Sequence, residues 1–149
     1  MHIQSESPDQ PDVAPLFAQL QAMHAAFYPA AATTPMPLAS LMQPEVRFLV
    51  ARDDAGQAVG CVALVPRGEY AEIKRMIVSE AARGQGIGRA LLEQVALHAL
   101  AAGIHALRLT TGLRQVEALA LYERFGFTRC APYADGATDP DELFMEKQL

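Results

Sequence analysis

Hydrophobic positions first mark a helix near the start of the chain. Val13, Leu16, Phe17, Leu20, Met23 and Phe27 recur at three- and four-residue spacing, Asp12 or Ser7 is available to cap, and Tyr28-Pro29 ends the run. A shorter helical piece is expected from Pro37 to Met42, bracketed by prolines. The period then changes. Val46 to Arg52 and Ala58 to Val65 are apolar and β-rich, and Asp53-Asp54-Ala55-Gly56-Gln57 between them has the composition of a hairpin turn. Pro66-Arg67-Gly68 turns the chain into a further strand, Glu72 to Val78. Helical spacing returns at Ile87, Leu91, Leu92, Val95, Ala99 and Ala102, with the helical run from Ala90 to Ala102 stopped by Gly103. A buried strand is expected at Ala106 to Thr111 and a helix at Gln115 to Phe125, stopped by Gly126. Phe127 to Cys130 and Glu142 to Gln148 are the last two strand candidates. Hairpins followed by alternating strands and helices predict an α/β chain with a mixed sheet and helices on both faces.

Composition narrows the class without naming a function. At 149 residues with no break in composition, residues 1–149 read as a single domain around one core. Val13 to Pro44 carries no charged side chain, yet Pro15, Pro29, Pro35, Pro37 and Pro44 interrupt any membrane-spanning helix. A net charge of -5 gives no basic field for nucleic acid. Cys61 and Cys130 are too few for a disulfide framework, and Met1 to Gln10 lacks the profile of a signal peptide, so a cytoplasmic setting is expected. His2, His24, His98 and His105 show no metal-binding spacing, and no metal is expected.

Candidate chemistry concentrates between the Glu72 strand and the helix after it, at Arg83-Gly84-Gln85-Gly86-Ile87-Gly88-Arg89. Glycines at alternate positions remove Cβ atoms that would hold a ligand off the backbone and permit dihedrals closed to other residues. The helix that follows offers unpaired amides and a positive dipole end, so the stretch reads as a pyrophosphate-binding turn. A nucleoside triphosphate is disfavoured, because Gly88 is followed by Arg89-Ala90 where a Walker loop has Lys-Ser/Thr. A dinucleotide is disfavoured as well: the glycine spacing is G-x-G-x-G, and the strand Ala106 to Thr111 supplies no carboxylate for a ribose.

What remains, R-x-x-G-x-G from Arg83 to Gly88, resembles the acetyl-CoA signature of the Gcn5-related N-acetyltransferases, the GNAT family. Two further elements fit in order and spacing. Ala71 to Val78 resembles the family's central strand, and Ala118 to Phe127 its A-x-x-x-Y-E-x-x-G-F helix and strand. The resemblance covers about half of the chain, Glu69 to Cys130. It implies the GNAT fold: a mixed, mostly antiparallel sheet of about six to seven strands, with a splay between two parallel central strands. Those strands would be Glu72 to Val78 and Ala106 to Thr111. The pantetheine arm of acetyl-CoA would enter the gap and bond to backbone at Met76, Ile77 and Val78, whose freed amide groups need partners. The pyrophosphate would rest on Arg83, Gly84, Gln85, Gly86, Ile87, Gly88 and Arg89.

Tyr122 shares a helical face with Ala118 and Phe125 and can be read as core. The resemblance implies a place near the thioester sulfur, as the acid for the departing thiolate. A tyrosine near pKa ~10 is a weaker acid than a thiol near ~8.5, so a hydrogen bond to the developing thiolate suffices. Glu72 is the candidate proton acceptor for the attacking amine, with Glu69 and Tyr70 as fallbacks; it can equally be a solvated carboxylate beside Lys74. Gln115 stands where many relatives have asparagine and could bond pantetheine or backbone. Arg114 is a candidate for a substrate carboxylate. Cys61 and Cys130 read as small buried hydrophobes, which favours direct transfer in a ternary complex over an acyl-enzyme.

The expectation is acetyl transfer from acetyl-CoA to the primary amine of a small molecule. Tyr28, Tyr133 and the Asp135 to Asp141 loop would stand near the acceptor, walled by the segment through Pro44. A protein or peptide acetyltransferase and a noncatalytic acyl-CoA sensor are the alternatives. Neither nucleic acid nor membrane is an expected partner, and a homodimer is left open.

Overall fold

The turn expected at 53–57 forms and fixes the first hairpin. Asp53 Oδ1 accepts the amides of Ala55 and Gln57 at 3.0 and 2.9 Å, and Gly56 supplies the positive φ of 82°. The computed structural model describes residues 1–27, 37–133 and 141–149. Along the chain these form β1 (His2–Ser5), α1 (Ala14–Phe27), α2 (Leu38–Leu41), β2 (Arg47–Arg52), β3 (Ala58–Pro66) and β4 (Ala71–Val78). A 3-10 turn (Glu80–Ala82) leads into α3 (Ile87–Ala101), β5 (Ala106–Gly112), α4 (Val116–Phe125), β6 (Thr128–Cys130) and β7 (Glu142–Gln148).

The strands make one seven-stranded sheet in the order β1-β2-β3-β4-β5-β7-β6. β4 and β5 run parallel, and the other neighbours pair antiparallel. β1 was not anticipated. Its residues are mostly exposed and lack apolar alternation, so backbone pairing with β2, from His2↔Arg52 to Ser5↔Leu49, makes the strand.

Two cores sandwich the sheet. α3 and α4 cover one face, where Leu49, Val62, Leu64, Ile73, Leu107, Leu109 and Met145 meet Leu91, Leu92, Val95 and Tyr122. α1 and α2 cover part of the other, packing Val13, Leu16, Leu20 and Leu41 on Phe48, Val50, Cys61, Ala63 and Ile77. Each fully buried Leu contributes roughly 1.5–3 kcal/mol. The second core takes no residue from β5, β6 or β7. On that side, the half of the sheet beyond β4 lies outside the packing of α1.

The splay is visible in the ladder. β4 and β5 pair only at Ala71↔Leu107 and Glu72↔Arg108. Beyond Glu72, β4 keeps β3 on one side and, among the described residues, has no strand partner on the other. A bulge accompanies the separation: Ala63 faces Lys74 while Cys61 faces Ile77, so β4 holds one extra residue, and Arg75 takes φ 55°. Such a residue bends its strand and sharpens the local twist. It also reverses the alternation, which is why Ile73 and Ile77, an even number apart, enter opposite cores.

Candidate active site

The glycine loop lies where β4 ends and α3 begins. Gly84 and Gly86 both have φ 80°, a region that side chains rarely adopt, and Gly86 is the N-cap of α3. Ala90 donates to the Gly86 carbonyl at 3.1 Å and opens the helical ladder. Among the described residues, none of the amides from Gly84 to Arg89 donates to a backbone carbonyl. Six adjacent donors are thus available at the positive end of a fifteen-residue helix. Ile87 is buried and anchors the turn, while Gln85 is exposed.

The third glycine has a different task. A Cβ on Gly88 would lie 2.8 Å from Leu121 Cδ2, so its missing side chain admits α4 against α3. The two arginines are partly engaged. Arg83 donates from Nε to the Val78 carbonyl at 3.3 Å, and Arg89 pairs with Glu93 at 3.2 Å while lying over the Phe125 ring. A phosphate would draw each from a weak partner.

From this loop the open edge of β4 runs back through Val78, Ile77 and Met76 to the bulge. Met76 and Val78 pack toward α3 and Ile77 toward α1, so the three differ in side-chain surroundings and share only the free backbone edge. Tyr122 enters from α4, buried, with its ring edge-on to Phe127 at 5.9 Å. Burial pushes its hydroxyl well above the ordinary tyrosine range. It is therefore protonated, a hydrogen-bond donor and a poor proton source. Gln115 is committed to backbone: its Oε1 accepts the Gly112 amide at 2.9 Å and the Thr111 hydroxyl at 3.3 Å, shaping the end of β5.

Glu72 marks the opposite end of the cleft, on the last rung where β4 and β5 still pair. It is buried and densely partnered. Arg67 reaches Oε1 at 3.1 Å, Lys74 reaches Oε2 at 3.2 Å, and Tyr133 donates to Oε2 at 3.4 Å. Burial and the Glu72 charge raise the Tyr133 hydroxyl, which keeps its proton. Of the fallbacks, Tyr70 faces Tyr133 edge-on at 5.4 Å, and Glu69 is exposed in the preceding turn. Arg114 binds the Phe27 carbonyl at 2.7 Å and pairs with Asp141 at 3.5 Å, tying the end of α1 to the β5–α4 turn. Tyr28 and residues 135–140 lie outside the described residues.

Sequence reasoning passed over Arg67 and Arg108. Arg108 lies over the Tyr70 and Tyr133 rings at 4.6 and 5.4 Å from their centroids. Neither sits in a motif: the turn between β3 and β4 brings Arg67 to Glu72, and the β4–β5 register sets Arg108 on its rung. Cys61 is buried, donates to the Arg75 carbonyl at 3.4 Å, and has its pKa pushed up by burial to about 12. Burial also raises Cys130. His24 is lowered by burial and by the Arg75 charge. Among the described residues no cluster of three or more His, Cys, Asp or Glu is arranged to hold a metal ion, and no helix is long and apolar enough to cross a membrane.

A loop of free amides beside an unpaired strand edge suits a ligand that is anionic at one end and amide-rich along its length, as CoA is. Comparison with known proteins agrees. The family model for the acetyltransferase (GNAT) domain matches residues 44–129. An IAA acetyltransferase of Azospirillum brasilense is 44% identical, over 99% of this chain and 97% of its own. A Klebsiella pneumoniae protein assigned as an acyl-CoA N-acyltransferase superposes with a TM-score of 0.81 at 32% identity, covering 99% of this chain and 97% of its own. An aminoglycoside 6'-N-acetyltransferase solved with coenzyme A shares the fold, with a TM-score of 0.71 at 17% identity, covering 99% and 97%.

Proposed function

The chain belongs to the GNAT family of acetyltransferases, and from that premise we propose that it moves the acetyl group of acetyl-CoA directly onto the primary amine of a small molecule. It is an acyl-CoA-dependent N-acyltransferase with acetyl-CoA as its cosubstrate. One observation carries the reading: the free amides of Gly84 to Arg89 open onto the β4 edge that loses its ladder partner after Glu72. The loop takes the pyrophosphate, and the edge at Met76, Ile77 and Val78 takes the pantetheine amides, which lays the thioester toward the bulge.

The reaction is balanced without a further reactant. The amine nitrogen bonds to the acetyl carbon, the C–S bond breaks with its electron pair on sulfur, the nitrogen releases a proton and the thiolate takes one up. Positioning supplies much of the acceleration. Tyr122, buried and protonated, steadies the departing sulfur by a hydrogen bond. Glu72 pairs with Arg67 and Lys74 at the last rung shared by β4 and β5. Its part is to draw in the ammonium, whose proton goes to water. The raised, buried Cys61 thiol is unsuited to an acyl-enzyme, which supports direct transfer.

Residues 1–149 act as one catalytic unit in this reading. The chemistry asks for no second copy, and the free thiols of Cys61 and Cys130 suit a reducing cytoplasm. Thiol release from acetyl-CoA across a panel of small amines and peptides tests it. Release that depends on a small amine is expected; acetyl-CoA binding with no release on any acceptor would leave a sensor, and release on peptides alone would move the substrate class.

A further inference from the structure

Glu72 and Arg108 occupy the same rung of the β4–β5 ladder and therefore the same face of the sheet. Neighbouring strands lie about 5 Å apart, near enough for these opposite charges to pair. Among the described residues they do not. Glu72 is taken up by Arg67, Lys74 and Tyr133, while Arg108 leans toward Glu146 with its Nε 3.6 Å from Oε2, beyond hydrogen-bond length. Arg108 Nε is a buried donor with no hydrogen-bond partner. Its guanidinium is nonetheless fixed, lying over Tyr70 and Tyr133, whose rings meet each other edge-on. With the ring contacts orienting the group and only the long ion pair with Glu146 at 3.6 Å holding its charge, the side chain is still 31% exposed. A pre-oriented guanidinium of this kind matches a planar carboxylate by two parallel hydrogen bonds.

Tyr133 joins the two charges, with its ring beneath Arg108 and its hydroxyl on Glu72. Both stand at the point where β4 and β5 part, on the half of the sheet outside the α1 core. We propose that the acceptor is an amino acid: its carboxylate binds the edge of Arg108, and its amine is presented at Glu72, facing the cleft. The inference rests on the acetyl-transfer reading and narrows it to zwitterionic amines. Arg108 is the specificity determinant, since an amine without a carboxylate brings it no hydrogen-bonding counter-charge and a carboxamide cannot replace the charge. Tyr70 and Tyr133 line the same spot and offer ring surface to the side chain of the acceptor.

Alanine, phenylalanine, β-alanine and γ-aminobutyrate, each beside its carboxamide, are titrated by NMR into the CoA-saturated protein, and thiol release from acetyl-CoA is read with the same compounds. At least one amino acid should bind about tenfold or more tighter than its carboxamide, as expected for a lost charge-assisted pair. Arg108→Gln should erase that margin, and Arg108→Lys should keep part of it; CoA affinity reports that each variant is folded. If no amino acid binds better than its carboxamide, or if the margin survives in Arg108→Gln, the inference is overturned. Should Arg108→Gln fail to bind CoA, the Lys variant decides, and an undiminished margin there overturns it. Selective binding with no thiol release on any amine would instead defeat the acetyl-transfer reading and leave the amino-acid site standing.

Discussion

Tyr122 shows how much a single environment decides. A hydroxyl buried against Phe127 loses the option of ionising, so the role proposed for it is that of a fixed dipole beside the sulfur as charge develops there. Tyr122→Phe keeps the ring and its packing, and should lower kcat by about 10- to 1000-fold with the affinity for CoA little changed; steady-state kinetics beside calorimetry separate the two. Cys61 gives the opposite case. Its thiol, raised to about 12, stays protonated through neutral pH, so Cys61→Ala should turn over like the parent and lose only about 1 kcal/mol of stability to the small cavity. A burst of free thiol that vanished in Cys61→Ala would instead indicate an acyl-enzyme. Tyr122 and Glu72 stood out in the sequence because each lies in a stretch that resembles a family element. Arg108 and Arg67 did not stand out, because the β4–β5 register sets residue 108 and the β3–β4 turn sets residue 67 beside residue 72, while Tyr133, expected near the acceptor, reaches Glu72 with its hydroxyl.

Among the elements, the glycine loop is the expected turn into a helix, and its glycines answer to different demands. Gly84 and Gly86 are demanded by φ, and Gly88 by the approach of Leu121. Substitution should separate these demands. Gly86→Ala forces a side chain into the left-handed region at a cost of roughly 1–2 kcal/mol and disturbs the amides, so CoA affinity should fall more than thermal stability. Gly88→Ala strikes the end of a flexible leucine, so the melting temperature should fall and CoA affinity should hold better. Equal losses of affinity in both would mean that the loop acts as one ligand surface after all. The bulge was illegible: Lys74-Arg75-Met76 contains no glycine or asparagine to announce a positive φ, and the extra residue shows only against the register of β3. β1 escaped because an edge strand held by backbone pairing needs no apolar alternation.

For the molecule as a whole, the N-terminal strand is clamped to the sheet by Arg52, which reaches Glu6 at 2.8 Å together with Asp12, Gln10 and the Gly56 carbonyl. Hydrogen bonding from Arg52, opposed by burial, lowers the Glu6 pKa below its ordinary 4.5. The lowered value means that this stabilisation is complete above about pH 4.5 and is lost as the pH falls through the folded-state value. Arg52→Ala should therefore lower the melting temperature at neutral pH, and its deficit should shrink on acidification below that point; a deficit independent of pH would assign the effect to packing. The mixed seven-stranded sheet, the two-sided cover and the parting of β4 from β5 agree with what the motifs implied. Every role given to the cleft depends on one interaction, the hold of the Gly84 to Arg89 amides on the CoA pyrophosphate. Amide NMR of the labelled protein titrated with CoA tests it most directly. The account predicts saturable shifts largest at Gly84 to Arg89 and continuing along Met76 to Val78, whereas no shift, or shifts centred elsewhere, would contradict it.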